Sequence, residues 1–198
     1  MTKILAFGDL HGDRAKAKEL AEKAKKENVD LVVICGDFVS DDNDLSHLLG
    51  IFDRKVLIIP GNHESPASVS FLSELYDFKN IHGYSYKMND VGLFGCGSAN
   101  IGLFQMKEDE IFETLKKGHK YVKDCKKKIM VSHNHPSGCI MERLSRFVPG
   151  SKGIKKAIDD LQPDILLCSH AHEAHGVEEQ IGNTRVINVG RDGKIIEL

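Results

Sequence analysis

The 198-residue chain reads as an α/β fold in one domain, on three observations. Short apolar runs and helix-patterned stretches alternate through the first 77 residues. Those apolar runs are continuous rather than alternating, as in parallel strands buried under helices. The middle and the tail break into short strand-like pieces punctuated by glycine. No repeat, low-complexity tract or flexible linker divides the chain.

The first strand is 4-ILAF-7, ended by Gly8. Residues 13–27 are rich in Ala, Lys and Glu, and Ala17, Leu20, Ala21 and Ala24 share one helix face. Asp13 stands where a cap belongs. The second strand, 31-LVVIC-35, is ended by Gly36, and residues 44–52 make a short helix. The third, 56-VLII-59, is ended by Pro60-Gly61. Pro66 opens a helix over 66–77, with Val69, Leu72 and Leu75 on one side. The alternating 84-YSYKM-88 and the apolar 91-VGLFGCG-97 suggest hairpin structure. Residues 107–124 are helical and charged, and the segment 98–126 that contains them is expected to lay this charged helix over a cleft. A fourth run, 129-IMV-131, precedes a loop rich in Pro, Ser and Gly and a helix near 151–160. The fifth is 165-ILLC-168. Gly182-Asn183 and Asp192-Gly193 mark turns in the tail.

Bulk chemistry narrows the function. A net charge of −2 is too balanced for a dedicated nucleic-acid or membrane-surface binder. No apolar run approaches the ~18 residues of a membrane span. The stretch MTKILAFGD has neither the length nor the cleavage site of a signal peptide. Five scattered cysteines without C-x-x-C argue against a disulfide framework. The expected setting is cytoplasmic.

Each of the five apolar runs leads into residues of ligand type. They are Asp9 and His11; Asp37; Asn62 and His63; His133; and His170 and His172. Alone, Asp9, Asp37 and Asn62 fit turn positions, and a lone H-x-H fits a surface. In register with five strand ends they read as one site, because α/β sites form where loops converge beyond the carboxyl ends of strands. Oxygen and imidazole donors suit Mn²⁺, Fe, Zn²⁺, Co²⁺ or Ni²⁺ better than Ca²⁺. Seven or eight candidate ligands are too many for one tetrahedral zinc and suit two divalent ions sharing a carboxylate, a phosphoryl-transfer arrangement. His133 has a rival in His135. It follows the strand more closely, and Pro136 constrains His135, so His133 is preferred. Glu64 either orients His63 or starts a helix. His175 is read as solvated or as a donor behind the ligands. His47, His82 and His119 are read as surface residues. Lys126, Lys127 and Lys128 are read as a solvated start to a strand, with phosphate steering as the functional alternative.

The ordered set 9-DLH-11, 36-GD-37, 61-GNHE-64, His133 and 169-SHAH-172 resembles the calcineurin-like metallophosphoesterase superfamily, small prokaryotic and archaeal type. The resemblance implies a four-layer αββα sandwich of two mixed sheets flanked by helices. It implies two divalent metal ions, manganese foremost. Asp9, His11, Asp37 and His172 would hold one ion, and Asp37, Asn62, His133 and His170 the other, with Asp37 bridging. His63 would be the catalytic acid or a donor to the transition-state charge, and a metal-bound hydroxide the nucleophile. The implied partner is a small-molecule phosphoester, mono- or diester. A nuclease and a non-catalytic scaffold on the same fold are the alternatives. Two departures stand out. Ser169 replaces a usual Gly, at an expected conformational cost, and Ser40 stands where an Asp or Asn is usual. No Arg follows Gly36-Asp37, which disfavours a phosphoprotein substrate.

Overall fold

Every central strand serves two cores at once. Successive side chains of a strand point to opposite faces, and continuous apolar runs therefore fill both. In the computed structural model, which describes residues 2–39 and 50–198, strand β1 (Lys3–Phe7) turns Leu5 and Phe7 outward and Ile4 and Ala6 inward. Strands β2 (Leu31–Ile34) and β3 (Lys55–Ile58) repeat the division. Their outward set packs under helix α1 (Arg14–Lys26) through Ala17, Leu20 and Ala24, and under helix α2 (Pro66–Leu75) through Val69 and Leu72.

The inward set meets a second sheet. Strands β4 (Lys79–Asn80), β5 (Ser85–Met88), β6 (Val91–Cys96), β7 (Lys127–Ser132) and β8 (Ile165–Cys168) follow in the chain. Strands β9 (Glu178–Ile181), β10 (Thr184–Asn188) and β11 (Lys194–Glu197) complete it. The first sheet has the order β11-β1-β2-β3-β4, and the second β5-β6-β7-β8-β10-β9. Both are mixed. Parallel pairing runs from β1 through β4 and from β6 through β8 to β10, with antiparallel strands at the edges. Leu93, Ile129, Val131, Ile165 and Leu167 fill the space between the sheets. Their neighbours Phe94, Met130 and Leu166 face helices α3 (Glu108–His119) and α5 (Lys152–Leu161). The result is the expected αββα sandwich.

Local chemistry sets the boundaries. The Asp13 side chain accepts from the Lys16 amide at 2.9 Å, and Ser65 caps α2 ahead of Pro66. Asn89-Asp90 and Gly182-Asn183 are two-residue hairpin turns, with Asn89 and Gly182 at positive φ. Helix α4 (Ile140–Leu144) and the two-residue β4 are too short to leave a periodic signal. Helix α3 spans only part of the expected 107–124. It lies on the outer face of the second sheet rather than over a cleft, because Ile111, Phe112 and Leu115 point into the third core. The helix expected over 44–52 falls mostly on residues 40–49, outside the described set, as do His47 and Ser40. His82 and His119 are half-buried rather than solvated: His82 accepts from the Gly97 amide, and His119 rests against the Phe94 ring. Lys126 pairs with Asp90, and Lys127 and Lys128 with Asp164, at the amino end of β7. That is the end remote from His133, so phosphate steering is ruled out there. No helix among the described residues is long and apolar enough to cross a membrane.

Helices α3 and α5 meet at one carboxylate. Glu108 accepts from the Ser151 hydroxyl and the Gly153 amide, both at 2.6 Å, and from Asn100 at 2.9 Å. Burial would raise its pKa, but these bonds outweigh it and hold the carboxyl below its usual range. A Cβ at Gly153 would stand 2.2 Å from the Glu108 carbonyl oxygen. Gly153→Ala therefore destabilises the fold by roughly 1–3 kcal/mol in denaturant unfolding, although alanine is the better helix former. A depressed folded-state pKa stabilises above the unfolded value and is lost as pH falls through the folded one. Thermal melts of Glu108→Gln should thus lie below wild type at pH 7, and the gap should narrow as pH falls below the usual carboxylate range.

Candidate metal centre

The carboxyl ends of β1, β2, β3, β7 and β8 meet at one rim, and backbone bonds lock the loops there. The Asp9 amide donates to the Gly36 carbonyl, His11 to Asp37 and Gly12 to Phe38, which joins the first two loops. Ser169 donates to the His133 carbonyl, which joins the loops of the second sheet. The sheets are joined to each other where the His170 amide donates to the Asp9 carboxylate at 3.1 Å. Four of the residues on these loops, Asp9, His11, Asp37 and His170, have positive φ, between 47 and 68°. Left-handed backbone is uncommon for residues with a Cβ and stores strain.

Glu64 anchors the arrangement. Its side chain is fully buried, and its oxygens accept from the amides of Asp37 (2.9 Å), Gly61 (2.7 Å) and Val39 (3.1 Å). It neither orients the His63 ring nor opens a helix; it ties the loop after β2 to the loop after β3. Burial and the nearby Asp37 charge push it up to about 7. A cation at Asp37 would remove that repulsion. Gly61 lets the loops close: a Cβ there would fall 1.9 Å from Asp37 Oδ1.

The donors converge. His133 Nε2 lies 3.3 Å from Asp37 Oδ2, and His11 Nε2 lies 4.0 Å from the same oxygen. Asn62 Oδ1 is 3.0 Å from His133 Nε2, and the His133 and His170 rings sit 4.6 Å apart. On the other side, His172 Nε2 is 3.4 Å from His11 Nε2 and 3.8 Å from Asp9 Oδ1. Among the described residues, three groups of donor atoms lie within 4.8 Å of one another: Asp9, His11 and His172; His11, Asp37 and His63; and Asp37, His133 and His170. His63, expected to stand apart from the ligands, has a ring nitrogen 3.8 Å from Asp37 and a half-exposed side chain. His11, Asp37, His63, His170 and His172 line a cleft of about 210 Å³ with Val148 and Glu173.

Electrostatics favour cation capture. Burial alone would raise Asp37, but the imidazoles of His133 and His63 hold it well below the usual carboxylate range. Asp9 is likewise lowered, its burial outweighed by the hydrogen bond from His175 and the charge on His133. His133 is fully buried, yet Asp37 pulls it up to about 9. His170 is pushed down to about 3 by burial and the His133 charge. Its Nε2 is buried and has no hydrogen-bond partner among the described residues. Two buried carboxylates ringed by imidazoles, one left unsatisfied, form a donor set that divalent ions of intermediate hardness fit.

Several roles that the residues alone leave open are fixed by position. His175 Nε2 bonds Asp9 Oδ2 at 2.9 Å, so it is the donor behind a ligand rather than solvated. His135 is buried with both ring nitrogens unpartnered among the described residues, and burial pushes it down to about 4. It is absent from the three donor groups, whereas His133 is brought against Asp37. The cost expected at Ser169 falls elsewhere: the positive φ is at His170. Ser169 instead donates to the Cys35 carbonyl at 2.9 Å, which His133 Nδ1 also meets at 2.8 Å. A proton on Nδ1 leaves Nε2 facing Asp37.

Known proteins resemble this chain in both sequence and shape. A protein of Methanocaldococcus jannaschii, MJ1162, is 31% identical over 200 residues, covering 94% of this chain and 87% of that protein. The crystal structure of TT1561 of Thermus thermophilus superposes with a TM-score of 0.77 at 17% identity, over 96% of this chain and 90% of that one. A dimetal phosphatase of Danio rerio superposes with a TM-score of 0.61 at 11% identity, over 96% and 87%. Likeness at such identities speaks for the fold alone. The calcineurin-like phosphoesterase family model matches residues 2–174, and with the relative from M. jannaschii it shows that this chain belongs to the calcineurin-like phosphoesterase family.

Proposed function

We propose that the protein is a dinuclear metal-dependent hydrolase of phosphomonoesters or phosphodiesters. One observation carries the reading: donor groups lie on both sides of Asp37, whose Oδ2 is 3.3 Å from His133 and 4.0 Å from His11. Asp9, His11, Asp37 and His172 would hold one divalent ion, and Asp37, Asn62, His133 and His170 the other. Mn²⁺ is the first choice, with Fe, Ni, Co and Zn compatible. Bound there, two such ions supply Lewis acidity and a nucleophile from water at neutral pH.

The chain's own groups do the rest. Asp37 is oriented by the His63 amide at 3.0 Å and by the loop that Glu64 clamps. His175 and the His170 amide fix the Asp9 carboxylate. The His63 side chain opens into the cleft, where it can donate a proton to a departing alkoxide. A small phosphoester fits the cleft, and the neutral overall charge disfavours extended nucleic acid. All five cysteines are unpaired, which suits a reducing, cytoplasmic setting.

Hydrolysis of p-nitrophenyl phosphate or its bis-ester is expected with at least one of Mn²⁺, Ni²⁺, Co²⁺ or Zn²⁺. Silence with every metal and both esters overturns the reading, and bound metal without turnover points to a scaffold. Elemental analysis of Asp37→Asn and His172→Ala should show metal and activity lost together. His63→Ala should keep its metal and slow turnover about 10²–10⁴-fold; loss of metal there would make His63 a ligand instead. Glu64→Gln keeps the shape of the clamp but turns one of its two acceptor oxygens into a donor that faces a backbone amide. Metal affinity by titration calorimetry should fall about 10–100-fold, as for other groups that orient ligands.

A further inference from the structure

Large apolar side chains stand exposed on two segments whose neighbouring residues reach the metal-centre cleft. Phe147 is 79% exposed and Leu103 78%, with Leu144 and Ile101 near 40%. Isolated exposed apolar residues are ordinary, but a cluster beside a binding cleft marks an interaction surface. These side chains adjoin the cleft through two segments. Val148, next to Phe147, lines the cleft with the histidines. Gly102, next to Leu103, lies so close to Asn62 that a Cβ would stand 2.6 Å from its Nδ2, and the Phe104 amide donates to the Asn62 carbonyl.

Both segments are held rigidly, and they touch each other. Asn134, directly after His133, donates to the Asn100 side chain at 2.7 Å and to the Pro149 carbonyl at 3.2 Å. Asn100 reaches the Gly150 carbonyl and Glu108, while Glu142 accepts from the Gly150 amide at 2.9 Å. Helix α4, which leads into the second segment, packs against the 3₁₀ turn His172–Ala174. The segments that carry the exposed apolar groups are therefore anchored, one beside Asn62 and the other, through α4, beside His172.

We propose that Leu103, Phe147 and Val148 form an apolar lip that binds the esterifying group of the substrate, so that the preferred phosphoesters carry an alkyl or aryl alcohol. This deepens the phosphoesterase reading and rests on it. The phosphoryl group occupies the polar floor of the cleft, and the alcohol lies along the lip. Leu103 and Phe147 are specificity-determining residues that touch the non-reacting part of the substrate. Without an apolar occupant the two side chains gain nothing from their exposure, whereas each buried methylene of a ligand adds affinity.

Calorimetric titration of the Mn²⁺-loaded protein with inorganic phosphate and with methyl-, butyl- and hexylphosphonate tests this without turnover. Affinity should rise about two- to fourfold per methylene, the range from half to full burial. In the double variant Leu103→Ser, Phe147→Ser that rise should flatten, with phosphate affinity and melting temperature unchanged, since both residues are surface-exposed. Leu103→Met, Phe147→Leu should restore it. Phosphate binding with no dependence on chain length in wild type overturns the lip and leaves the metal centre intact. A chain-length dependence that survives in the double variant overturns the assignment to these residues. Failure to bind metal or phosphate at all sinks the phosphoesterase reading, and the lip with it.

Discussion

The site depends on one buried carboxylate that binds nothing but backbone. Glu64 accepts the amides of Asp37, Val39 and Gly61, and so fixes two loops that the sequence separates by more than twenty residues. An ionised group without water needs such partners, because an unsatisfied buried charge costs several kcal/mol. The three amides meet that need, and in return the carboxylate dictates where Asp37 points. From that fixed position the Asp37 carboxylate lies within 4.0 Å of His11, His63 and His133.

Around it, the protein tolerates arrangements that are unfavourable by themselves. Asp9, Asp37 and Glu64 are carboxyl groups buried together, and four of the converging residues hold left-handed backbone. Three apolar layers offset these costs. The strands that present the loops have nearly all their side chains buried. His175 and His133 meet the two aspartates, and Ser169 and the Cys35 carbonyl hold His133 in turn. Buried carboxylates and an imidazole nitrogen without a partner among the described residues, on a stiff frame, make a donor set suited to a divalent cation.

Much of this was legible in the residues. Continuous apolar runs such as 31-LVVIC-35 announce strands buried on both faces, and the cap at Asp13 and the start at Pro66 announce helices. The five polar clusters are visible because each directly follows a strand. Other roles were hidden because they depend on distance in space. Nothing local says that Glu64 faces the Asp37 amide, that His175 reaches Asp9, or that Ser169 bonds the Cys35 carbonyl. Helix α4 spans five residues, too few for a periodic pattern. The charged helix α3 was readable as a helix, but not as part of the outer layer. Only its apolar stripe of Ile111, Phe112 and Leu115, read against the third core, places it there.

The two-sided strands constrain how such a chain can change. Inserting or deleting one residue within β1, β2, β7 or β8 would reverse the pleat downstream and exchange the contents of both adjoining cores at once. Tolerable length changes are thereby confined to the segments beyond the strand tips. Length changes in the stretches bearing Leu103 and Phe147 would leave the strand pleat, and with it the donor cluster around Asp37, in place.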